Sequence, residues 1–221
     1  MTVLLVIAFF AVFILIDHAL TRHKAAEDAL LRVAGVDPSA DPVWVAGYLL
    51  PEGLHYHRGH VWLRPLDRTT VLVGLDDFAR RLIGAARGVR LPARGDWLHQ
   101  GGSGFGVKVD GRAAEFVSPV EGEVVAVNSE LRRNPSLATD DPYDRGWIMK
   151  VRAAHLATNL RNLLSGRLAR RWMEEGREAL ELRLMALSGS VLQDGGEPVA
   201  DFARHLPDED WKRLVGEFLL T

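Results

Sequence analysis

The chain has 221 residues, 48% hydrophobic and 25% charged, a balance that fits a globular domain with added segments and excludes a disordered chain. Its 27 basic and 29 acidic residues leave a formal net charge of -2, which calls for no nucleic-acid partner. With no cysteine there is no disulfide framework, thiolate zinc site, cysteine-held iron–sulfur cluster or cysteine nucleophile.

Residues 2–16 (TVLLVIAFFAVFILI) carry no charge and one weakly polar side chain. As a helix at about 1.5 Å per residue, the stretch extended through Met1 and Leu20 reaches about 30 Å, the thickness of a bilayer core. No Lys or Arg precedes the run, and no small-x-small cleavage site follows closely, so a transmembrane anchor fits better than a signal peptide. Arg22, His23, Lys24 and Arg32 all follow it, which by the positive-inside rule places the body of the protein in the cytoplasm. Residues 19–33 read as a continuing helix of good helix formers such as Ala25, Ala26, Ala29, Leu30 and Leu31. Gly35 is a stop, and Asp37-Pro38-Ser39-Ala40-Asp41-Pro42 is a turn-rich linker.

From Val43 the pattern turns to strands. Short β-branched and aromatic runs occur at residues 61–63, 70–73, 105–109, 116–117, 124–127 and 147–151, punctuated by Gly, Pro and Asp. Close spacing of short strands predicts a small barrel or sandwich. Residues 76–83 interrupt with a short helix, with Asp76 as N-cap and Phe78, Leu82 and Ile83 as its apolar face. Leu156, Leu160, Leu163, Leu164, Leu168 and Trp172 recur at helical spacing, and residues 179–187 continue or follow that helix. After a loop at residues 193–198, Pro207 opens a last helix with an apolar face of Trp211, Leu214, Val215 and Phe218.

The strand region carries a series of motifs in fixed order. They are Tyr56-His57-Arg58-Gly59-His60-Val61-Trp62; Val73-Gly74-Leu75-Asp76-Asp77-Phe78-Ala79 with Leu82-Ile83-Gly84; and Val89-Arg90-Leu91-Pro92-Ala93-Arg94-Gly95-Asp96. Ser118-Pro119-Val120-Glu121-Gly122-Glu123-Val124 with Val127-Asn128, and Asp141-Pro142-Tyr143-Asp144-Arg145-Gly146-Trp147-Ile148, complete the series. The whole resembles the H-protein of the glycine cleavage system from about Leu54 to Glu175. The resemblance implies a β-rich, lipoyl-type barrel-sandwich hybrid; with the N-terminal transmembrane helix and the C-terminal helices read from the sequence above, the expected fold class is α+β. The expected division is 1–20 anchor, 21–53 juxtamembrane helix and linker, 54–175 H-protein-like domain and 176–221 helical extension.

The resemblance also implies a job. In the family a hairpin-tip lysine, in a Glu-Ser-Val-Lys-Ala context, is acylated by lipoate, and the arm carries an aminomethyl group between enzymes. Counting back from Ser118 without gaps places that position on Gly111, in Val107-Lys108-Val109-Asp110-Gly111-Arg112-Ala113. Asp110-Gly111 is a hairpin-turn signal, so the hairpin is expected to persist without its lysine. A one-residue slip brings Arg112 there, and arginine cannot form the lipoyl amide. Lys108 is the only nearby lysine; a strand position away from the tip reads as a solvated side chain and is poor geometry for a swinging arm, with a displaced lipoyl site as the alternative.

Other candidates have plain readings. His55, His57 and His60 form His-x-His-x-x-His, in which His55 and His57 share a strand face, but no carboxylate partner is evident and no metal site is assigned. Gly101-Gly102-Ser103-Gly104-Phe105-Gly106 lacks the elements of a phosphate loop and reads as a turn before a strand. Asp76, Asp77, Asp140, Asp141 and Asp144 fall at caps and turns, and Ser118 precedes Pro119 in a turn rather than on a nucleophile elbow. Arg167, Arg170 and Arg171, followed by Glu174, Glu175 and Glu178, read as a paired solvated face, with anionic lipid contact as the alternative. The expected function is a membrane-anchored, non-catalytic module that docks glycine-cleavage-type or lipoate-handling proteins without a cofactor. The alternative is a lipoate-bearing carrier subunit, and an enzyme in its own right is not expected.

Overall fold

The structure is a computed structural model, which describes residues 43–188 and 206–220. The expected anchor, the helix at 19–33, the linker at 37–42 and the loop at 193–198 lie outside the described residues. Among the described residues no helix is long and apolar enough to cross a membrane.

Eleven strands are described: β1 Trp44–Val45, β2 Tyr48–Leu49, β3 His55–His57, β4 Val61–Pro65, β5 Thr70–Leu75, β6 Gly88–Arg90, β7 Trp97–Leu98, β8 Ser103–Val109, β9 Arg112–Val117, β10 Gly122–Val127 and β11 Met149–Ala153. They form a six-stranded sheet in the order β3-β4-β5-β11-β10-β7, a three-stranded sheet β6-β8-β9 and a small hairpin β1-β2. All strand pairings are antiparallel, and four of them, β1-β2, β3-β4, β4-β5 and β8-β9, are hairpins with short connections. Five helices are described: α1 Asp77–Ile83, α2 Leu137–Asp140, α3 Leu156–Arg161, α4 Gly166–Ser188 and α5 Asp208–Leu219.

The motifs of the sequence meet one another in the core. In the β4–β5 ladder Trp62 pairs with Gly74, and a Cβ on Gly74 would stand 2.5 Å from the Trp62 ring. Glycine there lets the indole lie flat across the neighbouring strand. The Trp62 Nε1–H donates to the Pro142 carbonyl at 3.2 Å, so a buried polar atom is satisfied by a third motif. Tyr143 joins two more elements. Its hydroxyl donates to the Leu49 carbonyl at 2.7 Å and accepts from the Asp77 amide at 2.8 Å. Enclosure of that hydroxyl pushes the phenol above its usual range, so it remains a donor.

Three expectations are modified. The leucine run is not one helix: α3 ends at Arg161, and Tyr56 and Leu164 exchange two backbone hydrogen bonds of 2.8 and 2.9 Å before α4 starts. The pull of that bridge on Leu164, with Gly166 at φ 53°, breaks the helix, and Leu168 is left exposed. The last strand starts at Met149 rather than Trp147: the Trp147 carbonyl is taken by the Asn128 side chain, and Ile148 leads into the strand, donating to the Val73 carbonyl at 2.8 Å and accepting from the Asn128 backbone amide at 3.0 Å. The Asn128 side-chain amide donates to the Arg145 and Trp147 carbonyls at 2.8 Å each. Finally, α4 runs unbroken across position 175, and β1-β2 packs on the domain ahead of position 54 through buried Val45, Tyr48 and Leu50.

Candidate functional site

The site that the sequence singles out is the β8–β9 hairpin. Val109 pairs with Arg112 across a two-residue turn of Asp110 and Gly111, with φ values of 45° and 83°. Positive φ at both central positions is the geometry that an Asp-Gly pair favours between twisted strands. The turn therefore stands where the sequence placed it. Neither of its residues carries an amine, so the turn itself does not fit the attachment of lipoate.

Lys108 lies on the exposed face of β8, opposite Ala113 on β9 and Gly88 on β6. Its stem runs over Gly88, where an added Cβ would lie 3.6 Å from the Lys108 Cβ and Cδ atoms. β8 is the middle strand of its sheet, so the Lys108 backbone is held on both sides, whereas a tip residue is held on neither. Arg112, the first residue after the turn, reaches away from the tip. Its guanidinium donates to the Leu206 carbonyl at 2.9 Å, pairs with Asp208 at 2.8 Å and stands 5.6 Å from the Trp211 ring centroid.

The histidines do not converge. The His57 Nδ1 accepts from the Gly59 amide at 3.0 Å, while the His60 Nδ1 meets the Asp76 carboxylate at 2.8 Å. Among the described residues no group of three His, Asp or Glu side chains could hold a metal ion. His60 sits between Phe78 and Trp172, with ring centroids 3.9 and 4.6 Å away, and Asp76 also caps α1 by accepting from the Ala79 amide at 2.8 Å. This buried pair was not foreseen. Only the order of the His60 and Asp76 motifs hinted at it, and their meeting is a product of the fold.

Burial lowers the pKa of both His55 and His57 from the usual 6.5, and for His57 the nearby His60 and Arg58 add to the effect. A histidine whose folded pKa is depressed binds fewer protons than its unfolded counterpart. Stability is therefore full above about pH 6.5 and falls as pH drops below it. Urea titrations between pH 8 and 5 should show a decline on the acid side that is shallower in His57→Gln; an identical pH profile in the variant would contradict this assignment.

The remaining candidates are structural. The Ser118 hydroxyl donates to the Val120 carbonyl at 2.7 Å inside its turn. The Gly101 amide donates to the Ser118 carbonyl at 2.8 Å, closing the glycine-rich turn onto the same motif. Asp77 is buried and pairs with Arg80 and Arg81, and Asp141 accepts from the Arg145 amide. Arg170 pairs with Glu52, and Arg171 pairs with Glu175 at 2.9 Å one helical turn on.

The sequence profile of the glycine cleavage H-protein family matches residues 54–176. A probable glycine cleavage system H protein of Thermococcus gammatolerans is 34% identical over 130 residues, which are 59% of this chain and 96% of that protein. A glycine cleavage system H protein of Carboxydothermus hydrogenoformans is 38% identical over 118 residues, 53% of this chain and 88% of its own. A crystal structure of a glycine cleavage system H protein from Mycobacterium marinum overlays with a TM-score of 0.48 at 24% identity, covering 58% of this chain and 99% of that one. With its family segment spanning β3 to α4, this chain belongs to the glycine cleavage H-protein family.

Proposed function

We propose that this chain is an H-protein-type subunit held at the cytoplasmic face of a membrane. It docks enzymes of a glycine-cleavage-type or lipoate-handling system through its inherited surface, and its hairpin serves without lipoate. The turn Asp110-Gly111 carries the last part of this reading, because it offers no amine at the position from which a swinging arm would reach. The membrane placement rests on residues 2–16 and the basic residues that follow them.

The names of the relatives favour a second reading, that of a carrier subunit in glycine cleavage. That reading needs lipoate on Lys108, whose exposed side chain supplies an amine on the hairpin. In both readings the chain is at most a carrier subunit and not itself a catalyst. The two separate by intact mass of the protein extracted from membranes of its native host, with peptide mapping across residues 105–117. The expected mass is that of the unmodified chain; a lipoyl adduct on Lys108 would establish the carrier instead.

A further inference from the structure

The C-terminal helix α5 lies wholly beyond the family segment, yet it is seated on residues inside that segment. Its Trp211, Leu214, Val215, Phe218 and Leu219 are buried. Phe218 packs on Phe78 with ring centroids 5.4 Å apart. A Cβ on Gly59 would fall 2.7 Å from the Leu219 carbonyl oxygen, so the chain turn at Gly59 and the end of α5 are in direct backbone contact. At its other end the segment takes hold of the hairpin: the Leu206 carbonyl, the Asp208 carboxylate and the Trp211 ring all engage Arg112. Arg183 of α4 pairs with Glu217 at 2.7 Å and braces the outer side.

The face beneath α5 thus consists of family residues, Gly59, Phe78 and Arg112, while its occupant is foreign to the family segment. The Thermococcus relative is matched over 96% of its length in 130 residues, a span too short to reach from β3 at His55 to Asp208. That match therefore cannot include both β3 and α5. β9 is also an edge strand of the three-stranded sheet, the kind of border that proteins either protect or use for docking.

We propose that α5 is an intramolecular cover on the hairpin face, seated where the shorter relatives leave the domain open, and that it bars a partner enzyme from approaching the hairpin along β9. This inference rests on the reading that H-type partners recognise this hairpin. The polar hold on Arg112 is the part of the cover nearest the turn, and Asp208, with 71% of its side chain exposed, is the link most readily undone.

The test places an acceptor at the turn of the full-length protein and compares rates of modification. Gly111→Lys adds a side chain where nothing lies within 4 Å of the new Cβ, and its backbone strain is common to all arms. The probe is a purified lipoate–protein ligase with ATP and lipoate, read by intact mass. Hydrogen exchange of residues 112–117 is followed in parallel as a readout independent of the ligase. In the Gly111→Lys background, Trp211→Ala should raise the modification rate at least tenfold and speed exchange in β9 while residues 149–153 stay protected. Asp208→Ala, a change at an exposed side chain that leaves the apolar seat intact, should act in the same direction by about threefold and holds the test open if Trp211→Ala fails to fold. Equal rates with and without the cover would overturn the proposal and leave the H-type reading standing. No modification in any arm would remove that reading, and the cover with it.

Discussion

Asp76→Ala should lower the unfolding free energy by about 3 kcal/mol. The loss combines an N-cap worth about 1 kcal/mol with the desolvation penalty of a buried imidazole left without its partner, about 2 kcal/mol. Asp76 is fully buried and holds two groups at once: the Ala79 amide at the start of α1 and the His60 ring. Because His60 is stacked between Phe78 and Trp172, loosening it also loosens the seat of α4 on the sheet. Asp76→Asn keeps an oxygen for the cap and a polar group facing His60, and should cost about 1 kcal/mol. Urea unfolding at constant slope is the measurement, and equal midpoints for the Ala and Asn variants would show that the pair does not hold the core.

Gly146→Ala should be more damaging, at about 4 kcal/mol or more, close to the whole stability of an ordinary domain. A Cβ there would lie 2.1 Å from the Leu137 carbonyl oxygen and 2.5 Å from that of Asp141. Both are backbone atoms, so no rotamer change relieves the collision. The Gly146 amide also donates to the Asp141 carbonyl at 2.7 Å, which fixes the turn that delivers Trp147 and Ile148 to β11. The internal control is Gly216→Ala on α5, where nothing lies within 4 Å of the added methyl and helix propensity favours alanine by about 0.8 kcal/mol. The near-ultraviolet circular dichroism of Gly146→Ala should lose its fixed aromatic signal at temperatures where Gly216→Ala retains it. A native spectrum and an unchanged melting temperature for Gly146→Ala would show that the turn yields.

These glycine positions show what the motifs encode. Gly74 admits the Trp62 ring, Gly146 admits two carbonyls, and Gly122 would place a Cβ 2.1 Å from the Arg152 carbonyl at φ 157°. Gly74 and Gly122 each meet a residue of another strand, and Gly146 meets Asp141 within its motif and Leu137 outside it. A linear reading can recognise the residue, but only the folded chain shows the atom that forbids a larger one.

The sequence by itself determined the longer strands β4, β5, β8 and β10, the short helix behind Asp76 and the Asp110-Gly111 turn, because these depend on alternation, capping and local φ preferences that act within a few residues. That neither Asp110 nor Gly111 carries an amine is likewise read straight from the sequence. The tertiary structure alone decided what depends on contacts between distant residues. The bridge between Tyr56 and Leu164 overrode a helical leucine pattern, because two backbone hydrogen bonds to the sheet fix a residue that helical propensity only weakly prefers. His60 found Asp76 rather than His57, and Arg112 found Leu206, Asp208 and Trp211, which lie 94 or more residues away. The apolar face of α5 was visible as a 3.6-residue period, but a period states only that a face must be buried. The shape left by Gly59, the Phe78 ring and the start of β9 decided where.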